Sequence, residues 1–253
     1  MRLTVVGCSG SYPGPDSPAS CYLLEQEDPD DGRTWRILLD LGSGALGALH
    51  HYADPLSIDA VALSHLHPDH CLDLCGFYVL RKYHPLGSQP RLPVYGPGGT
   101  GERMARAYDL PDGPGMAHEF DFRTYDTSFS VGPFTIEAIP VLHPVEAYGL
   151  RVTAGGATVA YTGDTAPCEA LDRVATDVDL LLAEASFRAG DDNPPEIHLT
   201  GTDCGELAAR TGVGRLVLTH IPPWFDKQDQ LADARAAWDG PAELARTGAT
   251  YEL

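Results

Sequence analysis

The chain contains no apolar run of the roughly 18–20 residues that a membrane-crossing helix needs, so no membrane partner is expected. It is also short of positive charge: 17 Lys and Arg stand against 36 Asp and Glu, a formal net charge of −19. Binding a long nucleic acid requires many Lys and Arg to displace counterions along the backbone. A long polyanion is therefore disfavoured as a partner, whereas a small anionic substrate is not. The six cysteines, at 8, 21, 71, 75, 168 and 204, include no CxxC pair. Cys71 and Cys75 stand four apart on an expected helix and read as small core residues, which suits a reducing compartment. MRLTVVGC carries one basic residue and too short an apolar run for a signal peptide, despite a superficial likeness of Val6-Gly7-Cys8 to a lipoprotein cleavage site. A cytoplasmic location is expected. With 43% hydrophobic and 21% charged residues, the 253-residue chain has enough apolar content for a sizeable core and reads as a single domain, 1–253.

What the sequence does have is a dense cluster of ligand-type side chains, Ser64-His65-Leu66-His67-Pro68-Asp69-His70. The preceding Ile58–Leu63 reads as a short buried strand, and Asp69 onward carries apolar residues at helical spacing, which puts the motif on a strand-to-helix turn. Side chains two apart on an extended chain share a face, so His65 and His67 can hold one cation. Asp69 and His70, opening the helix after Pro68, point at a neighbouring position. Divalent ions such as zinc take imidazole nitrogen and carboxylate oxygen. Three more such residues sit at expected strand ends: His143 closes FTIEAIPVLH, Asp164 lies in the turn of TVAYTGDT, and His220 closes GRLVLTH. Together they assemble as two sites, with His65, His67 and His143 on one metal, Asp69, His70 and His220 on the other, and Asp164 between them.

The remaining chain reads as an α/β pattern. Strands are expected at 2–7, 21–25 and 35–41, with the acidic turn DPDDG between the last two. Asp40, at a strand end, reads as the cap of a helix starting near Gly44. The loop CSGSYPGPDSPAS offers Ser9, Ser11 and Ser17 as weak candidates for substrate contact. GPGGTGE lacks the Lys and Ser/Thr of a phosphate-binding loop and reads as a connector. His50, His51, His84 and His118 read as solvated. HEFDFRTY and FTIEAIPV are strands, GLRVTAGGATVAY is a hairpin, and DLLLAE is a strand buried on both faces that ends at Glu184. TDCGELAARTG is a helix with Gly212 as its C-cap, residues 226–238 form an amphipathic helix, and two short strands finish the chain. His198, ahead of a helix, is either a capping residue or a proton donor facing the cleft.

The order HxHxDH, then His143, Asp164 and His220, resembles the metallo-β-lactamase superfamily of dinuclear hydrolases across nearly the whole chain. That resemblance implies an αββα sandwich of two mixed β-sheets flanked by helices. It also implies two divalent ions, zinc first and manganese second, with a water between them as the attacking group. Asp40 would then hydrogen-bond a metal-held histidine. In the phosphodiesterase branch, a histidine between the bridging Asp and the last ligand is oriented by a Glu on the preceding strand, so His198 and Glu184 are carried over as catalytic, together with Asp69. The phrases GCSGSYPGPDSPASCYLL, LSHLHPDHCLDL, YTGDT, HLTGT and LVLTHIPPW resemble actinobacterial atypical class II cyclic-nucleotide phosphodiesterases. The implied substrate is a small phosphodiester such as cAMP, and the implied assembly is a homodimer. The 21-residue interval from His143 to Asp164 leaves no room for the arm with which related tRNA 3′-end-processing endonucleases grip tRNA. A ribonuclease of short RNA, or a thioesterase or lactonase on the same core, is the alternative.

Overall fold

The computed structural model describes residues 1–253. Two seven-stranded sheets pack face to face, and each is covered on its outer side by helices. The first half of the chain builds β1 (Arg2–Gly7), β2 (Cys21–Glu27), β3 (Thr34–Leu39), α1 (Ala45–Leu49), β4 (Ala60–Ala62), α2 (Pro68–Cys71), α3 (Leu74–Tyr83), β5 (Leu92–Gly96), α4 (Thr100–Ala107) and β6 (Phe120–Thr124). The second half builds β7 (Ser128–Val131), β8 (Phe134–Pro140), β9 (Tyr148–Ala154), β10 (Ala157–Tyr161), α5 (Ala170–Ala175), β11 (Leu180–Glu184), α6 (Gly201–Thr211), β12 (Leu216–Thr219), α7 (Lys227–Ala237), β13 (Ala242–Leu244) and β14 (Thr250–Glu252).

The first sheet runs β14-β1-β2-β3-β4-β5-β6 and the second β13-β12-β11-β10-β9-β8-β7. Each is antiparallel at one end and parallel at the other: β3, β4, β5 and β6 pair in parallel, as do β10, β11, β12 and β13. Parallel pairing needs helical crossovers, and helices over a sheet bury both its faces. That is why β11 (LLLAE) is buried at every position. A cluster of 24 buried residues, including Leu24, Leu39, Phe134, Val152 and Leu182, fills the space between the sheets. Separate clusters lie under α5–α7 and under α1–α4. No helix is long and apolar enough to cross a membrane.

Local chemistry fixes most element ends. The β9–β10 turn uses Gly155 and Gly156 at φ 59° and 85°, the positive values a tight hairpin requires. α6 opens on a reciprocal capping box between Thr200 and Asp203 and stops at Gly212 in the left-handed region. Three expectations change. The helix after the metal turn is broken, because Asp73 turns its amide to the Leu41 carbonyl and its carboxylate to the Leu46 amide. That second bond fills the capping place expected of Asp40, which is occupied elsewhere. Two further elements, β7 and α5, have no counterpart in the sequence reading; α5 is the crossover that makes β10 and β11 parallel.

Candidate metal centre

Strands of both sheets deliver their C-terminal ends to one edge of the sandwich, where ligands of such sheets collect. β4 runs into Ser64 and His65, β8 leads to His143, β10 to Asp164, β11 to Glu184, and β12 to His220. Left-handed residues shape this edge, among them Ser11 at φ 64°, Asp40 at φ 59° and His220 at φ 53°. Such backbone costs of order 1–3 kcal/mol and tends to gather at functional sites. Close approach also matters. A Cβ at Gly10 would run into the His220 carbonyl, and one at Gly42 into the Asp69 carbonyl.

The seven residues singled out from sequence come together as two groups. Ligand atoms of His65, His67, His143 and Asp164 form one, and those of Asp69, His70 and His220 the other, each group within 4.8 Å. His65 Nε2 lies 3.0 Å from His67 Nδ1, which lies 3.3 Å from His143 Nε2. His70 Nε2 lies 3.1 Å from His220 Nε2, itself 3.0 Å from Asp69 Oδ2. Asp164 stands between the groups, with Oδ2 3.8 Å from His65 Nε2 and Oδ1 3.3 Å from His70 Nε2.

The far side of each imidazole decides which nitrogen is free. His70 Nδ1 donates to Asp40 Oδ2 at 2.7 Å. His65 Nδ1 is 3.0 Å from the Ser64 hydroxyl, which donates to the same Asp40 oxygen. His143 Nδ1 donates to the Ile197 carbonyl, and His220 Nδ1 meets the Ser186 hydroxyl, which donates to the His220 carbonyl. Each of these four rings therefore turns its Nε2 toward the cluster, whereas His67 turns its Nδ1. Such partners are what orient metal-held histidines. Lone pairs facing one another at about 3 Å repel unless a cation lies among them, and Asp164 Oδ1 is buried without a hydrogen-bond partner. The donor set fits divalent ions.

The electrostatics agree. Burial, followed by the charges of neighbouring histidines, holds His65 well below its ordinary pKa, and His67 and His143 are lowered mainly by burial. His70 moves the other way: burial opposes its charge, but Asp164 and then Asp40 outweigh burial and raise it well above the usual imidazole value. Asp164 is buried, which favours the neutral acid, yet the surrounding histidines keep it well below the carboxylate range. For Asp69 too, burial favours the neutral acid, but the neighbouring His220 and His70 outweigh it and hold the carboxyl well below its usual range.

His198 joins this cluster rather than capping α6, a place Thr200 fills. Its Nδ1 donates to Glu184 Oε1 at 2.9 Å and stands 4.0 Å from Asp164 Oδ2. Glu184 is fully buried and accepts from the Thr165 and Ser186 amides. Burial works against a charged His198, but Glu184 outweighs it and pushes the pKa up to about 9. His50, His51 and His118 are exposed and His84 is half-buried, and none of the four joins the cluster. Ser9 and Ser17 turn inward, to the Tyr12 carbonyl and the Cys8 amide. Sequence reasoning missed Tyr161 and Ser186. Tyr161 donates to Asp40 Oδ2 at 2.9 Å; the available signal was a tyrosine on a buried strand, whose hydroxyl needs a partner.

The model of the beta-lactamase superfamily domain matches residues 35–221. An uncharacterized protein of Mycobacterium tuberculosis is 43% identical over the whole of this chain and 92% of its own length. A probable metallo-hydrolase of Bacillus subtilis, YhfI, is 31% identical with both chains fully covered. Its crystal structure superposes with a TM-score of 0.87 at 28% identity over 100% of this chain and 99% of that one. Ribonuclease Z of Myxococcus xanthus is 26% identical over 311 aligned positions, covering 100% of this chain and 98% of the ribonuclease, which therefore carries segments absent here. The sandwich, the His/Asp cluster at its edge and these likenesses agree: the chain is a metallo-hydrolase and belongs to the beta-lactamase superfamily.

Proposed function

We propose that the chain is a phosphodiesterase that uses two divalent ions, zinc or manganese, to hydrolyse a small phosphodiester, a 3′,5′-cyclic nucleotide such as cAMP being the leading candidate. The observation that carries the reading is the pair His198–Glu184 beside Asp164. In this reading His65, His67, His143 and Asp164 hold one ion, Asp69, His70 and His220 hold the other, and Asp164 is shared. Bound there, divalent ions supply Lewis acidity, lowering the pKa of water toward neutral and offsetting charge on a phosphoryl oxygen.

The chain's own groups do the rest. Glu184, held by two backbone amides, fixes the His198 ring and keeps a proton on Nδ1. This leaves the Nε2 proton to be given to a departing ribose oxygen or shared with a phosphoryl oxygen as charge builds. Asp40, gripped by Ser64 and Tyr161, keeps His70 turned inward, and Ser186 does the same for His220. A donor of this kind suits the charge of phosphoryl transfer.

Size and charge favour a small substrate. The interval from His143 to Asp164 is taken up by β9 and β10, both paired within the sheet, and the net charge is −19. The test is turnover by protein reconstituted with zinc or manganese, offered cAMP, cGMP, a dinucleotide, a short RNA and a thioester. Hydrolysis of cyclic nucleotides above the others supports the proposal. Cleavage of the RNA alone would make it a ribonuclease, and turnover of the thioester with no phosphodiester cleaved would refute it.

A further inference from the structure

We infer that Tyr12 and Trp224 form an aromatic seat at the mouth of the metal centre that receives the base of the nucleotide; this rests on the phosphodiesterase reading above. Several large aromatic side chains, Tyr22, Tyr78, Tyr161, Phe77, Phe120 and Phe134, are under 2% exposed, while four are exposed, Tyr12, Tyr83, Tyr108 and Trp224. Trp224 is 59% exposed and Tyr12 44%, and neither belongs to any of the three cores. Yet their rings meet, with centroids 5.4 Å apart and planes inclined by 32°. Two residues 212 positions apart thus present one apolar surface to water.

Both loops carrying the pair are tied to His220. The His220 amide donates to the Cys8 carbonyl, and the Gly10 amide to the Ile221 carbonyl. The Ser11 amide points at His220 Nε2 from 3.4 Å. Tyr12 is the next residue, about 3.8 Å further along the chain, and Trp224 follows His220 by four. The loops are also fixed internally. Ser9 donates its hydroxyl to the Tyr12 carbonyl, the Tyr12 amide donates to Gly10, and Pro222 and Pro223 restrict the backbone ahead of Trp224. A surface held this way loses little freedom when something stacks on it.

The occupant follows from what the two neighbouring features ask of one molecule. The cluster suits a phosphate, and the pair beside it suits a flat π surface. A nucleobase on a single sugar joins the two. Two rings alone offer too little area to hold a second copy of the chain.

Stacking of a base on an aromatic side chain is sequence-tolerant and commonly changes affinity about tenfold or more. The experiment measures binding of AMP and ribose 5-phosphate by calorimetry to the metal-loaded protein, the two ligands differing only in the base. AMP is expected to bind wild type about tenfold tighter. In Trp224→Ala and Tyr12→Ala that advantage should shrink to about twofold, with ribose 5-phosphate affinity and metal content unchanged, and Trp224→Phe should restore it. An undiminished AMP advantage in Trp224→Ala overturns the inference, as does equal weakening of both ligands. Loss of a dimer in sedimentation with the advantage intact would assign the pair to a second copy instead. If the advantage collapses as expected but no phosphodiester is turned over, the proposed reaction fails and the base seat stands.

Discussion

Replacing Asp40 by Asn changes one charge and almost no volume at a residue that is fully buried. Its left-handed backbone, φ 59°, is one Asn tolerates, so the substitution adds no strain. Oδ2 accepts from His70 Nδ1, the Ser64 hydroxyl and the Tyr161 hydroxyl, and Oδ1 accepts from the Ser64 amide. An amide side chain offers one acceptor oxygen in place of two. If the oxygen takes the Oδ2 place, its NH2 faces the Ser64 N–H; if it takes the other, the NH2 faces three donors. Leaving one buried donor unsatisfied costs about 1–3 kcal/mol, or about 4–8 °C in melting temperature for about 2 kcal/mol in a chain of this size. His70 also loses the carboxylate that orients it, and removal of such a partner typically weakens metal binding by about 10–100-fold.

The pH dependence separates these effects. A histidine whose folded pKa is raised contributes stability that is fully present below its unfolded value, about 6.5, and lost as pH rises through the folded value. Asp40 is one source of the His70 shift, so the metal-free variant should fall furthest below wild type near pH 6 and less at high pH. Thermal melts of metal-free protein across pH, with metal titrations against a chelating dye, make the measurement. The metal loss should be larger at the site of Asp69, His70 and His220 than at the site of His65, which Asp40 reaches only through the Ser64 hydroxyl. Equal loss at both sites, or unchanged affinity with an unchanged melt, would refute the account of Asp40.

His198→Ala should keep its metals and lower phosphodiester turnover about 100-fold or more; a parallel loss of metal, read by elemental analysis, would make the residue a ligand. Metal retention should depend on pH unequally. His65, His67 and His143 are already biased toward the neutral form, whereas His70 must give up a proton before it can bind, so acidification from pH 8 to 6 should empty the His70 site first in a stepwise chelator titration. Asp164→Asn should weaken both sites together, since the residue's two oxygens reach toward both groups; loss at one site alone would remove its shared role. Thr200→Ala should lower the melting temperature by about 2–4 °C, for about 1 kcal/mol, through loss of the α6 capping box with metal content unchanged.

Much of the site was legible because its densest part is local. His65, His67, Asp69 and His70 lie within six residues, and strand and turn geometry alone divides them between two positions. The elements ending at His143, Asp164 and His220 were equally legible from alternating or continuous apolar runs that stop at a polar residue. Less legible were the side chains that orient the ligands without belonging to the ligand set. From its own residues Asp40 looked like a helix cap, because a carboxylate before a glycine turn often is one, and only the family resemblance implied a histidine partner; in the fold Asp73 takes the capping bond and Asp40 bonds His70. The break between α2 and α3 escaped notice for the same reason, since apolar spacing continues across it. β7 was too short and polar to register, and α5 too short to stand out from its loop.

The sequence by itself determined which atoms could bind a metal and where strands would present them, because ligand type and side-chain periodicity are properties of a few neighbouring residues. Only the tertiary structure decided that Asp40 and Tyr161 meet across 121 positions, that His198 turns to Glu184 rather than to a helix end, and that Tyr12 finds Trp224. Those encounters depend on how two sheets lie on one another and on which loops share an edge, and no short stretch of chain encodes them.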